Sequence, residues 1–467
     1  MVPLTVEEIL VATGGDLVKG LPESKISGVC IDTRMLRIGD VFIPLVGNTD
    51  GHRFVTDALK AGAAGVLVGN NYDNHNKLIE SGLFGNSFVV MVEDTLKAFQ
   101  SIARYYREKL SLKVIAITGS TGKTTTKDMI NCVLAQQYKV VSTDKNYNNE
   151  IGVPLTILRA DETTEALVVE MAMRGRGQIR ELAEIAKPDI GVITNIGQAH
   201  IELLGSEQAI AEAKSELVGA INGDGVAILN ADDLWTPLVS ECACSRTTKY
   251  GITAGEVRAE KIESDELGRA KFRLIMHEGD AYTVRLPVPG KHNVYNALAA
   301  SAVGMEMGLG PDQIRIGLSN CRLTSMRMEV FSTVDNVLIL NDAYNANPTA
   351  MQAALVTLLD VRSEGRHIAI LGDMLELGQY GVEAHKQIGE MVASLGIELL
   401  ITVGNESQIM AESAVRAGMA TKNVVTCEDA ETAAQLMKQL VEPGDVILVK
   451  ASRAVGLEAV VKAMVEI

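Results

Sequence analysis

The chain has 467 residues, too many for one compact core, so two to four domains are expected. Its apolar content of 47% with a single Trp describes an ordinary soluble α/β protein. Fifty-nine acidic against 43 basic side chains leave a formal charge of −16, which excludes general affinity for nucleic acid or anionic membrane and requires local groups to hold any polyanionic ligand.

Six cysteines (Cys30, Cys132, Cys242, Cys244, Cys321 and Cys427) are scattered without a C-x-x-C pair, and an even count in so large a chain does not imply disulfides. Cys242 and Cys244 form a C-x-C that lacks a nearby histidine to complete a metal site. The start, Met1-Val2-Pro3-Leu4-Thr5, has no basic segment followed by an apolar core, and nowhere do about 18 apolar residues run together. A reducing cytoplasm, no membrane insertion and a monomeric state are the expectations.

Thr5-Val6-Glu7-Glu8 ahead of Ile9-Leu10-Val11 reads as a capping-box helix start. Short extended pieces and turns follow: Gly28 to Arg34, Gly39 to Leu45 and Asn48-Thr49-Asp50-Gly51-His52. An amphipathic stretch, Phe54 to Ala63, leads to the apolar run Gly65-Val66-Leu67-Val68, so residues 1–94 read as a small α/β domain. Asp32, Thr33 and Arg34 at a strand end either grip a polar ligand, Arg being suited to phosphate, or form a solvated loop with a structural Arg. A helical stretch, Thr95 to Leu110, opens the next segment.

There the apolar run Val114-Ile115-Ala116-Ile117 precedes Thr118-Gly119-Ser120-Thr121-Gly122-Lys123-Thr124-Thr125-Thr126, and Met129, Ile130, Val133 and Leu134 then recur at helical spacing. Strand, glycine-rich turn and helix form the order that phosphate binding needs, because a helix start presents N–H groups and the positive end of the peptide dipoles. Lys123 is placed for β and γ phosphates and Thr124 for Mg²⁺. Gly119 and Gly122 enclose two residues where the common phosphate loop has four.

The run Ala166-Leu167-Val168-Val169 predicts a strand buried on both faces that ends on Glu170. Ligands of parallel sheets collect at carboxyl ends, so Glu170 is either a metal ligand or a salt-bridged strand end. Asp189 to Asn195 is another such strand, running into Gly197-Gln198-Ala199-His200, where the histidine is a metal ligand or a capped loop residue. Lys214 lies beside the apolar stripe of a helix that begins at Ser206, a position from which lysine usually snorkels outward. Extended segments follow Gly225, including Ala270 to Leu286 with a turn at His277-Glu278-Gly279-Asp280. Gly290-Lys291-His292 then opens an Ala-rich helix on which Asn293 and Asn296 share a face, as a pair addressing adenine or as caps.

From about Leu323 strands and helices alternate, with strands near Val337 to Leu340, His367 to Leu371, Glu398 to Val403, Asn423 to Thr426 and Asp445 to Val449. This predicts a doubly wound, mostly parallel sheet over residues 323–467, with residues 95–322 as the central nucleotide-binding domain. No G-x-G-x-x-G follows the first strand, so a dinucleotide is not supported. Strand ends carry Asn341 to Pro348, Gly372 to Gly378 and Lys450-Ala451-Ser452-Arg453, polar clusters that look like a substrate cleft.

Together these motifs resemble the Mur ligases, ATP-dependent enzymes that extend the peptide of the bacterial cell-wall precursor. The short loop Gly119-Ser120-Thr121-Gly122-Lys123-Thr124-Thr125 is that family's form of the phosphate loop. Asn148-Asn149 with Ile151-Gly152-Val153-Pro154, then Glu170, His200, Lys214, His292-Asn293-x-x-Asn296, Arg327 and Asp342-x-Tyr344-Asn345 follow in the family's order. Asn341 to Pro348 and Leu371-Gly372-Asp373-Met374-x-Glu376-Leu377-Gly378 resemble the member that adds D-alanyl-D-alanine to UDP-N-acetylmuramoyl-tripeptide. The Asp-Asn-Pro-Arg motif of the preceding ligase is not present, and Ala172 stands where many relatives have Gly. Rival readings are a sister ligase adding one amino acid and an ATP-binding regulator without catalysis.

The resemblance implies a P-loop-type central domain that binds ATP through Gly119 to Thr125, with Asn293 and Asn296 addressing adenine. Arg327, Asp342 and Tyr344 would contact the nucleotide from the last domain, a Rossmann-like one. It implies a front domain for the uridine diphosphate precursor at Asp32, Thr33 and Arg34, with Asn148 and Asn149 also on substrate. Lys123, Glu170, His200, Lys214 and Asn345 would be catalytic, Thr124, Glu170, His200 and Lys214 would surround Mg²⁺, and Lys214 would carry a carbamate, whose anionic oxygens suit a cation as an ammonium does not. Closure of three domains implies a mobile hinge near Arg322 to Thr324.

Overall fold

The computed structural model describes residues 1–70, 72, 85–199, 201–276 and 281–465. It divides into two compact units, one of Met1–Ala116, Tyr138–Met171 and Arg180–Pro188, the other of Ile117–Gln137, Ala172–Ile179 and Asp189–Ile467. Several sheets, mostly parallel and flanked by helices, make it an α/β protein, as expected. No helix among the described residues is long and apolar enough to cross a membrane.

In the first unit the expected capping box closes the helix Val6–Thr13: Glu8 N–H donates to Thr5 Oγ1 at 3.2 Å, and Thr5 N–H donates to the Glu8 carboxylate at 2.8 Å. A five-stranded sheet runs in the order Asp16–Lys19, Phe88–Val92, Gly65–Gly69, Asp40–Phe42, Gly28–Cys30, parallel except for the first strand. Phe42, Val66, Val68 and Val89 on one face meet Val55, Ala58 and Leu59 of the helix Val55–Lys60. The helix Thr95–Lys109 starts where Asp94 accepts the Leu96 and Lys97 N–H groups at 2.7 and 3.0 Å, and it buries Phe99, Ile102 and Tyr106. The strand Ala166–Glu170, buried along its length as its apolar run requires, pairs parallel with Val140–Ser142.

In the second unit Ile190–Ile193, Val226–Asn230 and Arg246–Gly251 lie side by side and parallel. Val257–Ser264 continues the sheet, and Arg269–Ile275 and Ala281–Pro289 add antiparallel strands. The turn expected at His277 to Asp280 lies outside the described residues. The helix Lys123–Leu134 packs against His292–Glu306 and Pro311–Ser319. Gly317 permits the close approach, since a Cβ there would stand 2.6 Å from Val133 Cα.

The last sheet has six strands in the order Glu329–Ser332, Leu338–Asn341, Val446–Lys450, His367–Gly372, Leu399–Val403, Val424–Cys427. All neighbours are parallel except the edge strand Glu329–Ser332, which the sequence pattern did not reveal. Alternate residues feed separate cores: Leu340, Ala369, Leu371, Leu400 and Leu448 face the helices Pro348–Asp360, Gly381–Ser394 and Gln408–Arg416, while Ile339, Ile368, Ile370, Ile401 and Ile447 face Ala430–Leu440 and Glu458–Val465. A sheet covered on both faces is the doubly wound arrangement the strand–helix alternation predicts.

One partly buried ion pair joins the starts of the two central strands, His367–Gly372 and Val446–Lys450. Asp445, with no exposed surface, accepts from Arg366 Nη2 at 2.7 Å and Nε at 3.1 Å, and from the backbone N–H groups of Arg366 and Glu442 at 3.0 and 2.9 Å. Burial pushes the Asp445 carboxyl up, but these donors outweigh it and hold it below the usual carboxylate range. Its contribution is therefore present above the unfolded pKa near 3.9 and lost as pH falls through the folded value. Asp445→Ala is expected to lower stability by about 2–3 kcal/mol at pH 7, since Arg366 keeps some solvent. In urea melts the gap between variant and parent should shrink in acid, and equal midpoints at pH 7 would disprove the role.

Candidate active site

The buried strand Lys113–Thr118 delivers the chain into the glycine-rich turn. At Gly119, φ is 150° and a Cβ would lie 1.9 Å from Thr194 Oγ1; at Gly122, φ is 76° and a Cβ would lie 2.5 Å from Asn296 Oδ1. Only glycine fits either place, which explains both ends of the short spacing. The helix that begins at Lys123 has no side-chain cap bond, and a helix start with its N–H groups and positive dipole end suits an anion.

The loop is braced by the end of the neighbouring strand. Ser120 N–H donates to Asn195 O at 2.9 Å and Thr121 N–H to Asn195 Oδ1 at 3.0 Å. Thr194 Oγ1 and Asn195 Nδ2 donate to Thr121 O at 2.6 and 3.1 Å, and Ser120 Oγ exchanges hydrogen bonds with Gly197. Lys123 Nζ bends back to Gly119 O at 2.8 Å. Thr194 and Asn195 were missed as site residues. Their signal was a polar pair at the end of an apolar strand.

Asn293 and Asn296 are buried, and neither caps its helix, whose N-cap Lys291 makes no side-chain cap bond. Asn296 Nδ2 donates to Asn293 Oδ1 at 2.8 Å, Asn293 Nδ2 to Pro289 O at 2.7 Å, and Thr126 Oγ1 to Asn296 Oδ1 at 3.1 Å. The pair thus ties the helix His292–Glu306 to the start of the phosphate-loop helix.

Arg327 Nη2 donates to Thr124 Oγ1 at 3.3 Å, and its guanidinium lies 4.0 Å from the centre of the Tyr344 ring. Its Nε is buried without a hydrogen-bond partner, an orphaned donor beside the phosphate turn that a nucleotide phosphate would satisfy. Asp342 accepts Met328 N–H at 3.2 Å and pairs with the buried Lys450 at 2.5 Å; Lys450 also donates to Asn345 O at 2.9 Å. Lys450 is a second residue whose part the sequence did not disclose, although its strand end stood out as polar. Burial holds the His292 imidazole below its usual range, with Asp342 opposing and Lys450 adding to the shift. Asn345 itself is exposed.

Lys214 sits on the helix Glu207–Gly219, started by Ser206 Oγ accepting Ala209 N–H at 3.1 Å. It is 1% exposed, so the outward-snorkelling reading fails: the stripe beside it is fully covered and leaves no path to water. Burial first, and the nearby Lys123 charge second, hold it well below the usual lysine range.

In the first unit Glu170 is 2% exposed, its carboxylate accepts Asn148 Nδ2 at 2.8 Å and its N–H donates to Thr143 Oγ1 at 2.9 Å. Asn149 Oδ1 accepts the Ile151 and Gly152 N–H groups at 3.3 and 2.9 Å, securing the start of a helix. Asp32 grips Arg34 through three side-chain contacts, Nε at 2.9 and 3.1 Å and Nη2 at 2.6 Å, and accepts the Arg34 N–H at 3.0 Å. That fork orients an Arg whose side chain is 86% exposed, and Thr33 opens the short turn between them. His200 lies outside the described residues. Among the described residues no three His, Cys, Asp or Glu side chains cluster to hold a metal.

A braced phosphate turn, with an arginine from the doubly wound part of the same unit reaching it, defines the class: a nucleotide-binding protein of the phosphate-loop kind with a second α/β domain whose Arg327 reaches the turn. A model of the Mur ligase middle domain matches residues 117–304, and a model of the Mur ligase glutamate ligase domain matches residues 326–453. The chain is 39% identical to a UDP-N-acetylmuramoyl-tripeptide–D-alanyl-D-alanine ligase of Bacillus subtilis (strain 168), covering 100% of this chain and 99% of that one. It is 33% identical to the enzyme of that name from Escherichia coli (strain K12), with the same coverage. A crystal structure of MurF from Acinetobacter baumannii superposes with a TM-score of 0.89 at 29% identity, covering 100% and 99% of the two chains. MurF ligase from Thermotoga maritima, solved in complex with ADP, gives 0.82 at 28% identity over 94% and 97%. The chain belongs to the Mur ligase family.

Replacing Arg327 by Ala removes the guanidinium from Thr124 and Tyr344. ADP affinity measured by calorimetry is expected to fall about tenfold or more, the worth of one charge-assisted contact, with the melting point of the nucleotide-free protein little changed. Unaltered ADP binding would exclude Arg327 from the nucleotide site.

Proposed function

We propose that the protein joins D-alanyl-D-alanine to UDP-N-acetylmuramoyl-tripeptide, converting ATP to ADP and phosphate, in the cytoplasmic synthesis of the peptidoglycan precursor. The observation that carries this is the end-to-end likeness to ligases of that name, at 33 to 40% identity. The cytoplasm is where ATP and a nucleotide-linked precursor occur together, and the chain acts there as a monomer. Its working parts are residues 1–94 for the uridine diphosphate precursor, with the fork of Asp32 and Arg34 and the adjoining Thr33 on phosphate, residues 95–322 for ATP, and residues 323–467 for completing the site.

A carboxylate resists amide formation because an oxide ion cannot leave. The N–H groups from Gly119 to Thr125 and the Lys123 ammonium would hold the triphosphate and draw charge from the γ-phosphoryl group. The tripeptide's terminal carboxylate attacks that phosphorus, ADP departs, and an acyl phosphate forms. The amine of D-alanyl-D-alanine then attacks the acyl carbon; the tetrahedral intermediate expels phosphate, and the nitrogen loses its proton. Positioning and charge stabilisation are the chain's contribution. Asn148 would steer substrate through its bond to Glu170, with Asn149 shaping the turn beside it. Asn293 and Asn296 each keep one amide N–H for adenine. Arg327 addresses phosphate, Asp342 the ribose, oriented by Lys450, with Tyr344 stacked on Arg327 and Asn345 at the rim.

As the family resemblance implies, Mg²⁺ would be held by Thr124, Glu170, His200 and a modified Lys214, whose oxygen and imidazole donors suit the cation. The ion would neutralise phosphate oxygens as charge moves. Lys214 supports a carbamate because burial disfavours its ammonium form relative to the neutral amine, the form that attacks CO₂.

Phosphate release with UDP-precursor tripeptide and ATP should require D-alanyl-D-alanine, and single amino acids should not replace the dipeptide. Release with none of these acceptors would leave only a nucleotide binder. Lys123→Ala is expected to lose at least about a hundredfold in turnover while keeping its circular dichroism and melting point. With ¹³C-bicarbonate, the parent should show a carbamate resonance that Lys214→Ala lacks; identical spectra would remove the modification.

A further inference from the structure

The helix that begins at Lys123 carries another set of groups farther along, away from the phosphate turn. Asp128, buried, accepts the Thr324 N–H at 2.7 Å and pairs with Lys127 at 2.8 Å. One turn on, the Cys132 thiol is hydrogen-bonded to the Cys321 thiol and accepts the Arg322 N–H. Residues 128 and 132 share a helix face, so the segment 321–324, where a hinge was expected, is fastened along that face at successive points. Backbone geometry brackets the pair: a Cβ on Gly317 would stand 2.8 Å from Cys132 O, Thr324 N–H is held by Asp128 one turn before Cys132, and Cys321 lies between residues 317 and 324.

The two thiols are not equivalent. Cys321 is buried and Cys132 is half-buried, within reach of a small solute. The bond from Cys321 lowers Cys132 to about 7, against burial and the Asp128 charge and with help from the Arg322 N–H and Lys127. The same pairing and deeper burial push Cys321 up. The more exposed and more readily ionised thiol of Cys132 thus faces the buried thiol of Cys321, placed to resolve it.

We propose that Cys132 and Cys321 form a redox modification site for hydroperoxides, closing an intramolecular disulfide between the phosphate-loop helix and the segment that leads to the last sheet. The Cys132 thiolate attacks one oxygen of the peroxide, the O–O bond breaks, and the departing alkoxide takes a proton, leaving Cys132 as a sulfenic acid. The Cys321 sulfur then attacks the Cys132 sulfur. An S–S bond forms as the S–O bond breaks, and the thiol proton leaves with the hydroxyl as water. Two thiols are oxidised and one hydroperoxide is reduced to alcohol and water. The cross-link makes covalent, until it is reduced, the attachment that Asp128 and Thr324 make through a hydrogen bond.

The full-length protein, treated with hydrogen peroxide near stoichiometry and blocked with iodoacetamide, is digested without reductant for mass spectrometry. Peptides bearing Cys132 and Cys321 should be found linked, separable by dithiothreitol, before the exposed Cys242 and Cys244 are oxidised. Cys321→Ser keeps a hydrogen-bond donor but no resolving sulfur, so Cys132 should stop as a sulfenic acid that dimedone traps. Cys321→Ala lacks the donor as well, and the pH midpoint of Cys132 alkylation should rise toward the ordinary thiol value of about 8.5. Cys132 and Cys321 remaining unlinked while Cys242 and Cys244 oxidise, or alkylation midpoints equal in the Ser and Ala variants, would overturn the proposal.

Discussion

The phosphate turn depends on the end of a neighbouring strand. Both the N–H and the carbonyl of Thr121 are held by Thr194 and Asn195, and Ser120 is locked to Asn195 and Gly197. A loop this short cannot close on itself as a longer one can, and an unsupported run of backbone groups around an anion would relax toward other partners. The bonds to residues 194–197 supply the rigidity that extra loop residues provide elsewhere. They also demand Gly119, because Thr194 occupies the space of any Cβ there.

From that constraint the rest of the second unit follows. Asn296 sits against Gly122 and Thr126, so the helix His292–Glu306 is registered to the turn by a polar contact inside an otherwise apolar packing of Ala and Val. A buried amide pair with its hydrogen bonds made is tolerable where a half-made one is not. Arg327 reaches Thr124 from beyond the linker, and the pair of Lys450 and Asp342 braces the strand ends of the last sheet. Under the proposed function these same amides and charges would also meet the nucleotide, so that one network would serve both structure and recognition.

Much of the fold was legible along the chain because period and punctuation agreed. The runs ending at Thr118 and Glu170 were strands, Thr5 and Ser206 capped helices, and the alternating Leu and Ile positions of the last sheet separated into two cores. The edge strand Glu329–Ser332 was not legible, for its pairing with Leu338–Asn341 is what makes it a strand. Among site residues, Lys214 was misread by local rules: its neighbours on the helix suggest an outward path, and only the packing around that helix removes the water.

The sequence by itself determined the order of elements, the phosphate turn with its two glycines, and the kinship that the motif order carries, since all of these are written in local spacing. Tertiary structure alone decided that Thr194 and Asn195 hold the loop, that Lys450 serves Asp342, that Asn148 serves Glu170, and that Cys132 meets Cys321. These are contacts between residues far apart in the chain. Their chemistry arises from burial and approach, which no local pattern encodes.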